Sequence, residues 1–348
     1  MAKVVDVFGI QKLYKENPNG PQWDALHWNN GKSRTVISGS KDPYDTTQCS
    51  ENRGNVNWTI DGKGSLLFNA SCSGTTEPRF HLNKPDTYFF QDVEATFYMM
   101  RVKDNNTNWG GPNIGVRSGP NGHSIPSEYC DAHTYYQRLR YDGNMDFEKE
   151  LKHPDSSVQC THNIWNGGKF PFNKWIGYKS ITRNAGNGVK LQLFMDVTEG
   201  VNGGTWVKLG EYADVSNWSP PQEPPACPYP ANYVPLKGGG VIVMRNTGVT
   251  DARYKWMTVR EITSSMYDEE DAVETEKRGI DDGVYMLGDQ TNSQNEDGET
   301  HLCTTEHIEP STECINCKID DNGNMTCEIP TNKKNIVLRT YDYIASFF

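Results

Sequence analysis

The segment Tyr135-Tyr-Gln-Arg-Leu-Arg-Tyr-Asp-Gly-Asn-Met-Asp-Phe-Glu-Lys-Glu-Leu151 sets arginines, carboxylates and tyrosines in alternation with apolar residues. Alternation is the strand period, and Asp142-Gly143-Asn144 between two such runs reads as the loop of a β-hairpin. A three-residue loop there sorts the side chains cleanly. Tyr135, Leu139, Tyr141, Met145, Phe147 and Leu151 share one face, with Gln137 and Lys149 as its polar exceptions, while Tyr136, Arg138, Arg140, Asp146, Glu148 and Glu150 share the other. In that register Arg140 stands opposite Asp146 and Arg138 opposite Glu148. One reading of the charged face is a cross-strand salt-bridge ladder, each exposed pair worth at most about 1 kcal/mol. The other is a carbohydrate platform, in which the guanidinium groups and Asp146 bind hydroxyls or carboxylates and the Tyr136 ring stacks on a sugar.

The same face supplies candidate catalysts. Glu148 and Glu150, two residues apart on a strand, have Cα atoms about 6.5 to 7 Å apart. Their side chains can converge as the acid and nucleophile of a retaining glycosidase. For a lyase, Arg138 or Arg117 would neutralise a uronate and Tyr136 or His123 would carry the proton. His123, in Gly119-Pro-Asn-Gly-His, also reads as an ordinary loop histidine. Trp109-Gly-Gly, Trp165-Asn-Gly-Gly and Trp218-Ser-Pro-Pro put indoles beside turns, where they serve either sugar stacking or packing beneath a loop.

These groups need a scaffold, and the chain supplies short β-rich runs punctuated by Gly, Asn, Asp and Pro. The predicted strands are 64–69, 92–101, 113–117, 134–141, 145–151, 175–182, 189–196, 205–212, 240–244 and 255–262. No amphipathic helix is evident before residue 264. The fold class is therefore all-β, two antiparallel sheets packed as a jelly-roll sandwich over residues 1–263. An acidic linker follows over 264–283, then a cysteine-containing β module or tail over 284–348.

The strings Asp92-Val-Glu-Ala-Thr-Phe-Tyr, Lys174-Trp-Ile-Gly-Tyr-Lys and Tyr254-Lys-Trp-Met-Thr-Val-Arg-Glu-Ile, together with the hairpin, resemble the concanavalin A-like lectin/glucanase superfamily. The likeness covers about residues 4–263 and is nearest to uncharacterised secreted microbial members. It implies a carbohydrate partner and makes a structural calcium possible, with no cofactor required. Two departures matter. Laminarinase-type enzymes carry Glu-X-Asp-X-(X)-Glu on one strand, whereas Asp146-Phe-Glu148-Lys-Glu150 begins with Asp; and Arg117, His123, Gln137 and Tyr136 match the residue types of alginate lyases without their signature strings.

Composition bounds the rest. The net charge of −11 argues against nucleic acid, whose binding needs a basic face. No apolar run approaches a membrane span, so no membrane insertion is expected. Nine cysteines and the sequons at Asn57, Asn69, Asn105, Asn217 and Asn324 point to an oxidising, extracellular or cell-surface setting with glycosylation. Proximity along the chain pairs Cys49 with Cys72 and Cys130 with Cys160, leaving Cys227 unpaired or bonded elsewhere. Cys303, Cys314, Cys317 and Cys327 form tail disulfides, Cys317 and Cys327 stapling a small hairpin, or else a four-cysteine zinc site. Asp320-Asp-Asn-Gly-Asn lacks the EF-hand register and reads as a hairpin turn. The functional expectation is an extracellular carbohydrate-binding or polysaccharide-processing protein. The rival is a structural surface protein or filament subunit that self-assembles through the β-rich C-terminal segment 336–344.

Overall fold

A computed structural model describes residues 3–266, apart from 38, 54–55, 71–75, 84–88, 105–107, 122–125 and 221–226, together with 316–319 and 325–328. In chain order the strands are β1 (Tyr14–Glu16), β2 (Gln22–Asp24), β3 (Arg34–Val36), β4 (Cys49–Arg53), β5 (Val56–Ile60), β6 (Ser65–Ala70) and β7 (Glu77–Leu82). There follow β8 (Val93–Asp104), β9 (Gly111–Ser118), β10 (Thr134–Leu139), β11 (Asn144–Lys152), β12 (Asp155–Asn163), β13 (Trp175–Ala185) and β14 (Gly188–Asp196). The last are β15 (Val207–Asp214), β16 (Val241–Thr247), β17 (Val249–Met266), β18 (Asn316–Ile319) and β19 (Met325–Glu328).

Two large antiparallel sheets result. A ten-stranded sheet runs β15-β14-β13-β8-β17-β6-β5-β3, with β1 and β2 added on β17. A seven-stranded sheet runs β12-β11-β10-β9-β16-β7-β4. All ten strands expected from alternation are present. Among the described residues seven further strands join the sandwich: β1, β2 and β3 are three residues long, β4 is largely polar, β7 contains Pro78 and β12 is a polar edge strand, whereas β5, in which Val56, Trp58 and Ile60 alternate with Asn57 and Thr59, carried a signal that the sequence reading missed. No α-helix occurs among the described residues before 266, only short 3-10 turns such as Ala25–Gly31 and Pro126–Ala132.

The core lies between the sheets. Phe97 of β8 stacks on Tyr178 of β13 at 4.4 Å, while Trp28 and Phe80 meet edge to face at 4.9 Å. Such aromatic pairs add about 0.5–1.5 kcal/mol each beyond the area they bury. The donors of the polar exceptions on the core face of the hairpin find acceptors there, while Gln137 Oε1 is buried without a partner. Gln137 Nε2 donates to Ile181 O at 2.8 Å and Thr182 Oγ1 at 2.9 Å, and Lys149 Nζ reaches Asp214 Oδ2 at 2.6 Å and Trp218 O at 2.9 Å.

The cysteine pairing differs from expectation. Cys130 bonds Cys227, not Cys160, across a sequence separation of 97 residues. Tyr229 explains the approach: its hydroxyl, with one proton to donate, lies 2.7 Å from Cys130 O and also within reach of Leu151 O, pinning the 227–233 segment against the turn that carries Cys130. Cys160, on edge strand β12, is in another disulfide. Proximity along the chain therefore misled. Cys49 lies opposite His81 on the β4–β7 pair, and its expected partner Cys72 lies outside the described residues. Also outside them are His123, Cys303, Cys314, Asn105, Asn324 and the segment 336–344. The expected tail hairpin is present as β18–β19, with Cys317 and Cys327 directly opposite.

Candidate functional site

The hairpin of β10 and β11 presents the two faces expected of it, but in a different register. Arg138 pairs with Asp146, Tyr136 with Glu148 and Thr134 with Glu150, so Arg140 is not opposite Asp146. The loop is Tyr141-Asp142-Gly143, closed by Arg140 N donating to Asn144 O at 2.8 Å. Tertiary contact decides this. Tyr141 is pulled into the core, where its hydroxyl donates to Asn246 Oδ1 at 2.7 Å and the Arg101 guanidinium lies 4.4 Å from its ring. Gly143 takes the left-handed conformation, φ +89, with Gly168 O where a Cβ would stand, so no other residue fits without strain.

The charged face is a continuous network. Arg138 grips Asp146 with both ends of its fork, at 2.5 and 2.8 Å, and reaches Glu148 at 2.9 Å. Arg140 bridges Asp146 at 3.0 Å and Asp142 at 2.6 Å. Glu148 also takes Arg245 of β16 at 2.8 Å and the Ser156 hydroxyl at 2.9 Å. Both of its oxygens are thus engaged. Burial alone would raise the Glu148 carboxyl, but Arg245 and Arg138 outweigh it and hold it down at about 2. Glu150 goes the other way: burial, helped by Glu148, pushes its carboxyl above the ordinary value although His153 Nδ1 sits 2.6 Å from it. The ladder reading of this face is the one the geometry displays, with pairs that are buried at Asp146 and Glu148 and partly exposed at Arg140 and Asp142.

Two candidates do not have the setting expected of them. Tyr136 is fully buried, with the Arg245 guanidinium 3.9 Å from its ring, so no ring face is left for a sugar, and burial pushes its hydroxyl up rather than towards a base. Arg117 is not on the platform. At φ +63 in a bulge of β9 it turns to bond Gln91 O, Asn184 Oδ1, Pro235 O and Asp92, clamping the seven-stranded sheet to the start of β8. Among the turn-side tryptophans, Trp165 and Trp218 pack inward, whereas Trp109 is half exposed. Its neighbours hold it beside the hairpin turn, Gly110 O accepting from Tyr141 N at 2.7 Å and Asn108 O from Asp142 N at 3.1 Å. The sequence reading missed Arg245, Ser156 and His153. Arg245 was findable, since Val241, Val243 and Arg245 alternate with the core residues Ile242 and Met244.

Among the described residues no group of three or more His, Cys, Asp or Glu is placed to hold a metal. The acidic clusters face guanidinium groups and backbone amides, which is the wrong chemistry for calcium, so no ligand set for it is found among them. No family model and no curated protein matches the sequence. Among solved structures the fold is similar to the VIP36 exoplasmic/lumenal domain in its Ca2+/Man3GlcNAc-bound form, with a TM-score of 0.35 and 11% identity over 68% of this chain and 92% of that one. It is similar to lectin II from Ulex europaeus, with a TM-score of 0.34 and 11% identity over 66% and 97%. It is also similar to a protein of unknown function from Shewanella oneidensis MR-1, with a TM-score of 0.36 and 11% identity over 74% and 91%. The two-sheet antiparallel sandwich that the resemblance of the strand motifs implied is the fold the chain has.

Proposed function

We propose that the protein binds carbohydrate, outside the cell or at its surface, at the end of the seven-stranded sheet where the Arg138–Asp146–Arg140–Asp142 ladder meets Trp109. One observation carries this: a half-exposed indole is held by backbone bonds beside a turn bearing partly exposed guanidinium and carboxylate groups. The indole offers a stacking surface, and Arg140 and Asp142 offer a donor and an acceptor for sugar hydroxyls. The disulfides at Cys130–Cys227 and Cys160 support an oxidising location. A glycan array with the wild type, Trp109→Ala and Arg140→Ala tests the site. Trp109→Ala should weaken every positive signal about tenfold. Unaltered binding in both variants would place the site elsewhere.

Polysaccharide hydrolysis is a second reading, favoured by the opposite displacement of Glu148 and Glu150. Carboxyls driven apart in this way are what an acid and its partner need. Reducing-sugar release lost in both Glu148→Gln and Glu150→Gln would support it, and release unchanged in both would remove them from any mechanism. Self-assembly through residues 335–348 is tested by deleting them and following light scattering.

A further inference from the structure

The outward face of the ten-stranded sheet carries a second aromatic group that the strand alternation gave no reason to single out. Lys255 Nζ lies 3.8 Å from the ring of Trp256, 4.5 Å from that of Trp175 and 5.6 Å from that of Tyr98. Lys255, Trp256 and Trp175 are all partly exposed. Trp256 sits in a bulge of β17 at φ +59, a conformation costly for a bulky residue. Its ring is seated on Gly200, where a Cβ would come within 2.8 Å of it.

The loop beneath is built round Asp196. Its Oδ1 accepts from Thr198 N at 3.0 Å, Thr198 Oγ1 at 2.6 Å and Thr205 N at 2.9 Å, and its Oδ2 from Gly200 N at 2.9 Å and Tyr98 Oη at 2.8 Å. Asp196 is saturated and buried. Glu199, on the same loop, is exposed and pulls electrostatically on Lys255.

We propose that Trp175, Trp256, Lys255 and Glu199 form a second saccharide subsite, for a neutral hexose unit. The proposal rests on the carbohydrate-binding reading and extends it to the opposite sheet. Lys255 covers part of both indoles, and the ring surface it leaves exposed suits the C–H face of a hexose, while its ammonium near the Glu199 carboxylate supplies a donor and an acceptor for hydroxyls. A charged sugar suits the cluster less well, because an anion meets Glu199 and a cation meets Lys255. The Trp256 backbone at φ +59 and Gly200 fix that ring in place beneath Lys255.

The test uses the full chain with methyl α-mannopyranoside, methyl β-glucopyranoside and methyl β-galactopyranoside as probes, followed by saturation-transfer NMR and tryptophan emission. Trp175→Ala and Lys255→Met should each weaken binding of a responsive probe about tenfold, with circular dichroism unchanged. Trp256→Gly, which relieves the backbone, should do the same while raising the melting temperature or leaving it unchanged. Trp109→Ala separates the two sites. If it alone abolishes binding and the cluster variants bind normally, the second subsite is refuted while carbohydrate binding stands. If the cluster variants lose binding and Trp109→Ala does not, the subsite stands and the Trp109 site falls. If no probe binds the wild type, the hexose subsite is overturned, and the glycan array alone decides the Trp109 site.

Discussion

Raising the pH from about 5 to about 8 should weaken the junction where β8 begins and β17 ends, because Glu261 is buried there as an acid. Its residue is 9% exposed, with Oε2 accepting from Gln91 N at 2.8 Å and Oε1 from Asp92 N at 2.9 Å. Burial, with repulsion from Asp92, pushes the carboxyl from 4.5 up to about 7 against the pull of the two amides and Arg117. Between these values the folded chain holds a proton that the unfolded chain has lost. Stability from this group is therefore complete below about 4.5, falls as pH rises to about 7 and is level above. The gap corresponds to at most about 3 kcal/mol. Urea unfolding followed by tryptophan fluorescence, at several pH values across this range, measures it in the wild type and in Glu261→Gln. The variant loses one amide acceptor, which costs about 1 kcal/mol at every pH, but it should lose most of the slope. The difference between the two proteins removes the contribution of the histidines. A wild-type stability that is flat or rising from about pH 5.5 to 7.5, or a variant with an undiminished slope, would refute the reasoning.

At acid pH the sign reverses. Glu94, held at about 2 by Arg260 and Lys179 against its burial, and Glu148, held there by Arg245 and Arg138, should cost stability as pH falls from about 4.5 towards 2, giving a maximum near pH 5 in denaturant midpoints. Arg245→Met strips Glu148 of a buried partner and should destabilise by about 3 kcal/mol or more, whereas adding Glu148→Met should recover much of the loss in a double-mutant cycle. Non-reducing peptide mapping should recover Cys130 linked to Cys227, and Cys130→Ser should cost about 2–5 kcal/mol in thermal or urea unfolding. A peptide linking Cys130 to Cys160 would contradict the structure.

What the sequence determined by itself was the side-chain partition of each strand. Period two is a property of the extended backbone, so Phe147 and Lys149 had to face one way and Glu148 and Glu150 the other whatever the rest of the chain did. The ten strands read from alternation and the sandwich follow from that partition, because apolar faces must find each other. Register was not legible there. Moving the hairpin loop from 142–144 to 141–143 leaves every side chain on its own face, so alternation could not choose; the choice came from Tyr141 bonding Asn246, 105 residues along the chain. Exposure was decided the same way. Tyr136 and Trp109 look equally suited to a sugar in sequence, yet Arg245 closes over one ring and leaves the other half open. The pairing of Cys130 with Cys227 and the assembly of Trp175 with Trp256 are of this kind too. Such contacts join strands remote in the chain, and only the packing of the two sheets brings them within bonding distance.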